Sequence, residues 1–327
     1  MKKLNIYPSL IHGLAKLCLL LILCASFGVV TAQDTKPDVK KDTAVNKASA
    51  AADTTAATPV VKKKSYVKNT FEGNYLIDDQ TVMVAIPGTF EFDIQHRFGN
   101  VKNGISDLFG LFAGANMKLG FSYVPLTNLQ VGFGVTNENM LVDWNLKWAI
   151  AKQTKSGSMP VSVTYYGNVV MDTRKQDNTT LFVTASDRFS YFNEIIIARK
   201  FSDKFSLQIA PSVSHFNNLE GYLDDAGNVK PKWKNDNFAV ELGGKIKLND
   251  GMSLIINYDQ PITQNPLQNP RPNISFGLDM RTSGHDFQVF FGNYSSLEPQ
   301  NNILYNQNDY KHGMFLIGFN ISRLWNF

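Results

Sequence analysis

From Thr89 to the last residue, apolar and polar side chains alternate with a period of two, in one stretch of about ten residues after another. Phe90, Phe92 and Ile94 alternate with Glu91, Asp93 and Gln95; Trp144, Leu146 and Trp148 with Asp143, Asn145 and Lys147; Leu254, Ile256 and Tyr258 with Ser253, Asn257 and Asp259. A strand points successive side chains to opposite faces, so each stretch predicts a strand with one greasy and one wet face. Residues 89–98, 116–124, 129–135, 140–151, 161–172, 189–201, 205–215, 238–248, 252–259, 273–281, 285–294 and 313–327 make about twelve of them. Phe192 and Ile196 blur the contrast in their stretch. Pro211 predicts a bulge or an edge-like irregularity, because proline brings no N–H to a ladder.

Alternation also describes a soluble sandwich. Three features favour a membrane barrel. The apolar parity is rich in aromatics while the polar parity carries charge of both signs. Connections 125–128, 202–204, 249–251 and 282–284 are short, whereas 99–115, 173–188, 217–237, 260–272 and 295–311 are long, with 137–139 the one short loop on that side. Short periplasmic turns and long external loops are the outer-membrane arrangement, and an even number of crossings returns the chain to the side it started from. The expected fold is therefore all-β, a transmembrane antiparallel up-and-down β-barrel of about twelve strands, with the polar parity in the lumen. An arginine at Leu254 or Phe276 is expected to cost roughly 2–4 kcal/mol, and one at Asn257 or Ser275 much less.

The chain has 327 residues, 43% of them hydrophobic and 12% aromatic. No apolar run after residue 32 is long enough for a membrane helix, so a span must be built from strands. The net charge of +4 forms no stripe and its densest run, Lys62 to Lys64, lies in a linker, which argues against nucleic acid. Residues 1–32 read as a signal peptide: Lys2, Lys3 and Lys16, an apolar run over 17–25, and Val30-Thr31-Ala32 before Gln33. Both cysteines, Cys18 and Cys24, fall inside it, leaving the mature chain without a thiol. Residues 33–70 are low in complexity and predict a disordered linker in the periplasm. The barrel domain is expected over 71–327, beginning with a short hairpin or inserted segment over 71–87. Connection 99–115 is too apolar for free water and predicts a loop folded into the barrel mouth or a short helix on it. Glycines in the strands fall mostly on the polar parity, where small residues let a closed sheet bend.

The chain ends in GMFLIGFNISRLWNF. Phe319, Ile321, Trp325 and Phe327 share one parity and resemble the C-terminal assembly signal of Gram-negative outer-membrane barrels; Arg323 departs from it. The resemblance implies the barrel assembly machinery as a partner during biogenesis. At His96-Arg97-Phe98-Gly99, Asp107-Leu108-Phe109-Gly110, Leu146-Lys147-Trp148 and Met159-Pro160-Val161-Ser162 the chain resembles a family of Bacteroidota outer-membrane barrels known as domain of unknown function 5777. That resemblance spans roughly Phe71 to Phe327 and implies a fold and an outer membrane with its lipids, but no reaction, substrate or protein partner.

The charges expected to face the lumen are Glu91, Asp93, Arg97, Lys118, Asp143, Lys147, Glu194, Glu241, Lys245 and Lys247, with Asp259 and Asp279. Mixed signs predict an internal salt-bridge network, or a constriction that selects solutes. In particular Glu91, Asp93, Arg97, Lys147, Glu241 and Lys245 are expected to meet across the interior as one charged belt. His96, His215, His285 and His312 show no two-histidine metal spacing, so neither metal nor cofactor is expected. His215 has no suitable serine, since Ser212 and Ser214 lie on the opposite parity, and no enzyme is expected. The leading reading is a small-solute channel or transporter. The alternative is a non-conducting structural or accessory barrel that binds a partner, with a lipid-modifying enzyme third.

Overall fold

The computed structural model describes residues 65–176 and 182–327; the segments expected to be a signal peptide and most of a linker lie outside the described residues. Twelve strands form one closed antiparallel barrel: β3 (Thr89–Asn100), β4 (Asn116–Leu126), β5 (Leu129–Thr136), β6 (Leu141–Ala151), β7 (Ser162–Asp172), β8 (Phe189–Lys200), β9 (Phe205–Phe216), β12 (Asp236–Asn249), β13 (Met252–Pro261), β14 (Asn273–Arg281), β15 (His285–Gly292) and β16 (Leu316–Asn326). Each pairs with its neighbours in sequence, and β16 closes onto β3 with Ile321 opposite Ile94 and Trp325 opposite Phe90. Two small hairpins stand apart from the wall: β1 (Tyr75–Leu76) with β2 (Asp79–Gln80), and β10 (Gly221–Leu223) with β11 (Val229–Pro231) in the loop between β9 and β12. One short helix, α1 (Pro299–Tyr305), lies between β15 and β16.

The two parities segregate as the alternation demands, but inside out relative to a soluble protein. Trp148 is 51% exposed and Leu254 41%, whereas Lys147 is 1% exposed and Arg97 wholly buried. No helix among the described residues is long and apolar enough to cross a membrane. An apolar belt around a closed barrel has no place in water, and it matches the hydrocarbon of a bilayer. Phe90 and Trp325 pack at 5.8 Å, and Phe90 against Phe121 at 6.4 Å, on the outer face near the short-turn rim. This is the level at which aromatic rings sit comfortably between lipid and water.

Pro211 makes no bulge. It stands opposite Val240 on the β12 side, and the β8–β9 ladder skips the pairs between Glu194–Ser212 and Ile197–Ile209 without a register shift. A missing N–H costs local bonds, and the intact register on both sides contains the loss. Connection 99–115 folds into tight 3-10 turns rather than into the mouth, with Ile105 78% and Phe112 79% exposed.

Candidate functional site

The lumen is not empty. Residues 70–85 leave the short-turn rim, run up the interior, reverse at Ile77-Asp78 between β1 and β2, and return to β3. The lead-in is held at the rim, where Val67 N–H donates to the Gln153 carbonyl at 2.8 Å and Tyr66 bridges Thr154, so residues 66 and 67 pack on the barrel. Four apolar side chains of this plug, Phe71, Leu76, Ile77 and Val82, are buried against wall residues on the lumen parity, among them Tyr166, Phe192, Ile196 and Phe290. This is why Phe192 and Ile196 break the polar rule: they face an apolar plug rather than water.

The plug's main chain is held by wall side chains. Gln288 Nε2 donates to the Tyr75 carbonyl at 2.9 Å and Gln208 Nε2 to the Gln80 carbonyl at 2.8 Å. Thr164 Oγ1 donates to the Val82 carbonyl at 3.1 Å and Lys147 Nζ to the Asn74 carbonyl at 3.1 Å. Asn257 donates to the Leu76 carbonyl, and Asn320 to that of Ile77. Ile77 has a φ of 67°, a strained conformation for a β-branched residue, and its N–H is caught by Gln288 Oε1 at 3.1 Å. At the rim, Glu72 pairs with Lys245 at 2.8 Å and Arg281 at 3.0 Å. Burial raises the Glu72 carboxyl, but these two cations outweigh it and hold it below the usual range.

From the long-loop side α1 descends to meet the plug. Ile303, Leu304 and Gln300 are buried, and Gln300 Nε2 donates to Asn168 Oδ1 and Ser190 Oγ at 3.2 Å. Glu298, just before the helix, accepts from Lys118 at 2.9 Å and from Thr136 at 3.0 Å. The plug tip touches this loop, since Tyr294 O–H donates to Asp78 Oδ1 and Asn302 Nδ2 to Asp78 Oδ2 at 3.4 Å.

Some of these charges meet the plug and others meet groups of the wall. Glu91, Asp93, Arg97, Lys118, Asp143, Lys147, Glu194, Glu241 and Lys245 are all buried in the lumen. Lys118 bonds Asp143 at 2.8 Å, but Arg97 turns to Asn320 at 2.8 Å and lies 4.6 Å over the Phe290 ring. Glu91 accepts from Asn74 of the plug, and Lys245 goes to Glu72. Among the described residues no direct ion pair joins Glu91, Asp93, Arg97, Lys147, Glu241 and Lys245 to one another, since the plug stands between the walls. Lys247, half-buried at the rim beside a register shift in β12, pairs with Asp250, 2.6 Å away. His215 is on the outside, 2.7 Å from Asp236, while Ser212 and Ser214 are buried on the other face.

Above α1 a vestibule of about 580 Å³ opens among the long loops, lined among others by Glu138, Asp172, Arg188, Trp233, Asn302 and Tyr305. Trp233 and Tyr305 pack edge to face at 5.0 Å, and Phe216 joins them at 5.7 Å. The Trp233 indole N–H is buried without an acceptor. Arg188 is fixed by the carbonyls of Asp172 and Arg174 at 2.8 and 2.7 Å. The periodicity of strands could not locate Asp78, Glu298 or Trp233, which all lie on irregular chain. Only Leu297, Ile303 and Leu304, apolar within an asparagine-rich loop, hinted that this connection turns inward.

No curated protein matches the chain. Among solved structures it is similar to the NanC porin, with 9% identity, a TM-score of 0.43, and coverage of 73% of this chain and 99% of that one. The COG4313 outer membrane channel from Pseudomonas putida F1 gives 10%, 0.44, 74% and 97%, and the P. putida toluene transporter TodX 8%, 0.39, 81% and 96%. At such scores these likenesses carry no argument about this chain. The family match is of another kind, for it spans residues 71–325 and so takes in the plug as well as the wall. The chain belongs to the family described as the membrane-bound beta barrel domain, DUF5777.

Proposed function

We propose that this is an outer-membrane barrel closed at rest by its own N-terminal segment, and that small polar solutes pass when the segment is displaced. The observation that carries the proposal is the plug over residues 70–85, bonded to the wall through side chains rather than through a continued strand ladder. Water can replace such bonds one at a time. The vestibule of about 580 Å³ on the long-loop side falls in the size range of small-molecule sites and offers a polar solute amides, two arginines and an aromatic wall. The short-turn side, from which the plug enters, is the periplasmic side in this reading. The polar contacts at the tip, Tyr294 and Asn302 on Asp78, couple the vestibule to the plug.

A second reading, a non-conducting accessory barrel, is favoured by the apolar cluster of Phe71, Leu76, Ile77 and Val82, which resists withdrawal. Planar-bilayer recording separates the two. The intact barrel is expected to be silent, and Leu76→Asp, which puts a charge into the cluster, to show discrete conductance steps. Steady conductance by the intact barrel would refute closure. A folded, silent Leu76→Asp barrel would favour the accessory reading.

A further inference from the structure

The plug tip and the wall gather five carboxylates. Asp78 and Asp79 of the tip and Asp259 of β13 each offer an oxygen, all within 4.8 Å of one another. Glu241 of β12 stands directly across the ladder from Asp259. With Glu194 of β8, Asp78 and Asp79 it borders a cavity of about 10 Å³. Glu194 and Glu241 are 3% and 4% exposed, and Glu194 Oε2, Glu241 Oε1, Asp79 Oδ2 and Asp259 Oδ1 have no hydrogen-bond partner. Among the described residues the direct ion pairs of the lumen involve Lys118 and Lys245 and none includes these five, although Arg97 acts on Asp78 and Lys147 on Glu194 through space and Lys118 borders the same cavity. Neutral donors reach both oxygens of Asp78, Tyr294 on Oδ1 and Asn302 on Oδ2 at 3.4 Å, while Asn273 Nδ2 holds only the Oδ2 of Asp259, at 3.1 Å. Asn257, which gives its amide N–H to the Leu76 carbonyl, leaves its own Oδ1 unpartnered beside the cluster.

Buried carboxylates without a cation cost several kcal/mol each. We infer that the cluster of Asp78, Asp79, Asp259 and Glu241 binds a calcium ion that ties the plug tip to β12 and β13. Oxygens up to 4.8 Å apart fit opposite positions around an ion with bonds of about 2.4 Å, the calcium distance. Calcium accepts mixed carboxylate and amide oxygens in a flexible cage, and Asn257 Oδ1 is an amide oxygen of that kind. Magnesium keeps several waters, and a cavity of about 10 Å³ has room for about one. Asn273 on the far oxygen of Asp259 orients that carboxylate toward the ion, and Asp78 would coordinate through an oxygen that also accepts a hydrogen bond.

The gating role of this ion rests on the plug being the gate; the site itself does not. The test uses the full chain in detergent after chelation, with calcium chloride alone as the probe in calorimetric titration and thermal unfolding. One calcium per chain and a rising unfolding temperature are expected, with magnesium giving little at equal concentration. Asp79→Asn and Asp259→Asn should weaken binding by about tenfold or more. Each removes charge repulsion, so both should fold without calcium, and Glu241→Gln supplies the same reading if either does not. A calcium response that survives in these variants overturns the site. So does a chain that ignores calcium but is stabilised by acid alone, which would mean that protons neutralise the cluster. Bilayer recording after chelation reads the gate separately: more frequent openings support the calcium latch, and calcium binding with unchanged silence overturns the latch while leaving the site.

Discussion

Leu76 of the plug occupies the space that a side chain at Gly243 would need: a Cβ there would stand 2.6 Å from Leu76 Cδ2 and 2.9 Å from Gln208 Cγ. The missing side chain on the lumen face of β12 is thus a seat for the plug. Gly243→Val is expected to push Leu76 off its seat, to destabilise the fold by roughly 1–3 kcal/mol, and to raise conductance in bilayers. Leu242→Val, on the lipid face, is the control. Unchanged unfolding and continued silence in Gly243→Val would show that the plug does not need this seat.

Leu254→Arg and Phe276→Arg place a charge on the lipid side and should each cost roughly 2–4 kcal/mol in refolding into vesicles. Asn257→Arg and Ser275→Arg, mild by parity alone, are expected to be costly as well. Asn257 is 1% exposed and bonded to the plug, and Ser275 is wholly buried beside Tyr294. The contrast that tests the lipid face is Leu254→Arg against Leu254→Phe. Equal loss from both would place Leu254 in a packed core.

Lys118 is the cation shared by Asp143 and Glu298. Lys118→Met should cost about 3–5 kcal/mol, the usual penalty for stranding a buried charge. Adding Glu298→Gln should recover part of that loss, because one of the two stranded carboxylates is then neutral. A double-mutant cycle on chemical unfolding measures the coupling, and additive losses would mean that the pair is not energetically linked.

The Glu298 carboxyl is pushed up by burial, and also by Asp143, against the pull of Lys118, to about 7 from an ordinary 4.5. A carboxyl raised in the folded state favours folding when protonated. Its contribution is complete below about 4.5 and is lost as pH climbs through about 7. The native chain should therefore lose stability over that window, and Glu298→Gln should flatten the profile there. Parallel pH profiles for the two proteins would remove Glu298 as the titrating group.

Deleting Phe327 should lower the amount of assembled barrel. The residue is 91% exposed and adds little packing, so a loss would report recognition of the last strand rather than folding energy. Quantifying the protein in isolated outer membranes checks this, and unchanged levels would rule out a signal role for Phe327.

The wall was legible because a strand in a bilayer has two solvents. Lipid on one side and a polar interior on the other write a period of two into residues such as Trp144 and Asp143, whatever the partner strands are. The plug was not legible in this way. Tyr75–Leu76 and Asp79–Gln80 are strands of only two residues, too short for any period to show. Their partners, such as Gln288 and Asn320, lie more than 200 positions away, |i−j| being 213 for Tyr75 with Gln288 and 243 for Ile77 with Asn320. Carboxylates read as candidates for pairing across an open interior proved to be spaced by chain that the alternation does not describe. The meeting of Asp78 with Asp259 depends on that same insertion.

The plug goes in and comes out at one end. Its lead-in lies beside Gln153 and its exit beside Val124 and Phe327, where Gly88 N–H donates to the Val124 carbonyl at 2.9 Å and Phe327 N–H to the Gly88 carbonyl at 3.4 Å. A hairpin inserted this way is not threaded through the ring, so it can slide out without parting the β16–β3 seam. Tension on the chain before residue 65 would load the contacts in series, the pairs of Glu72 before the bonds of Asn74 and those before the tip. Sequential rupture needs less force than breaking the same contacts at once, so apart from its apolar cluster the hairpin would yield along its own axis before the ring around it.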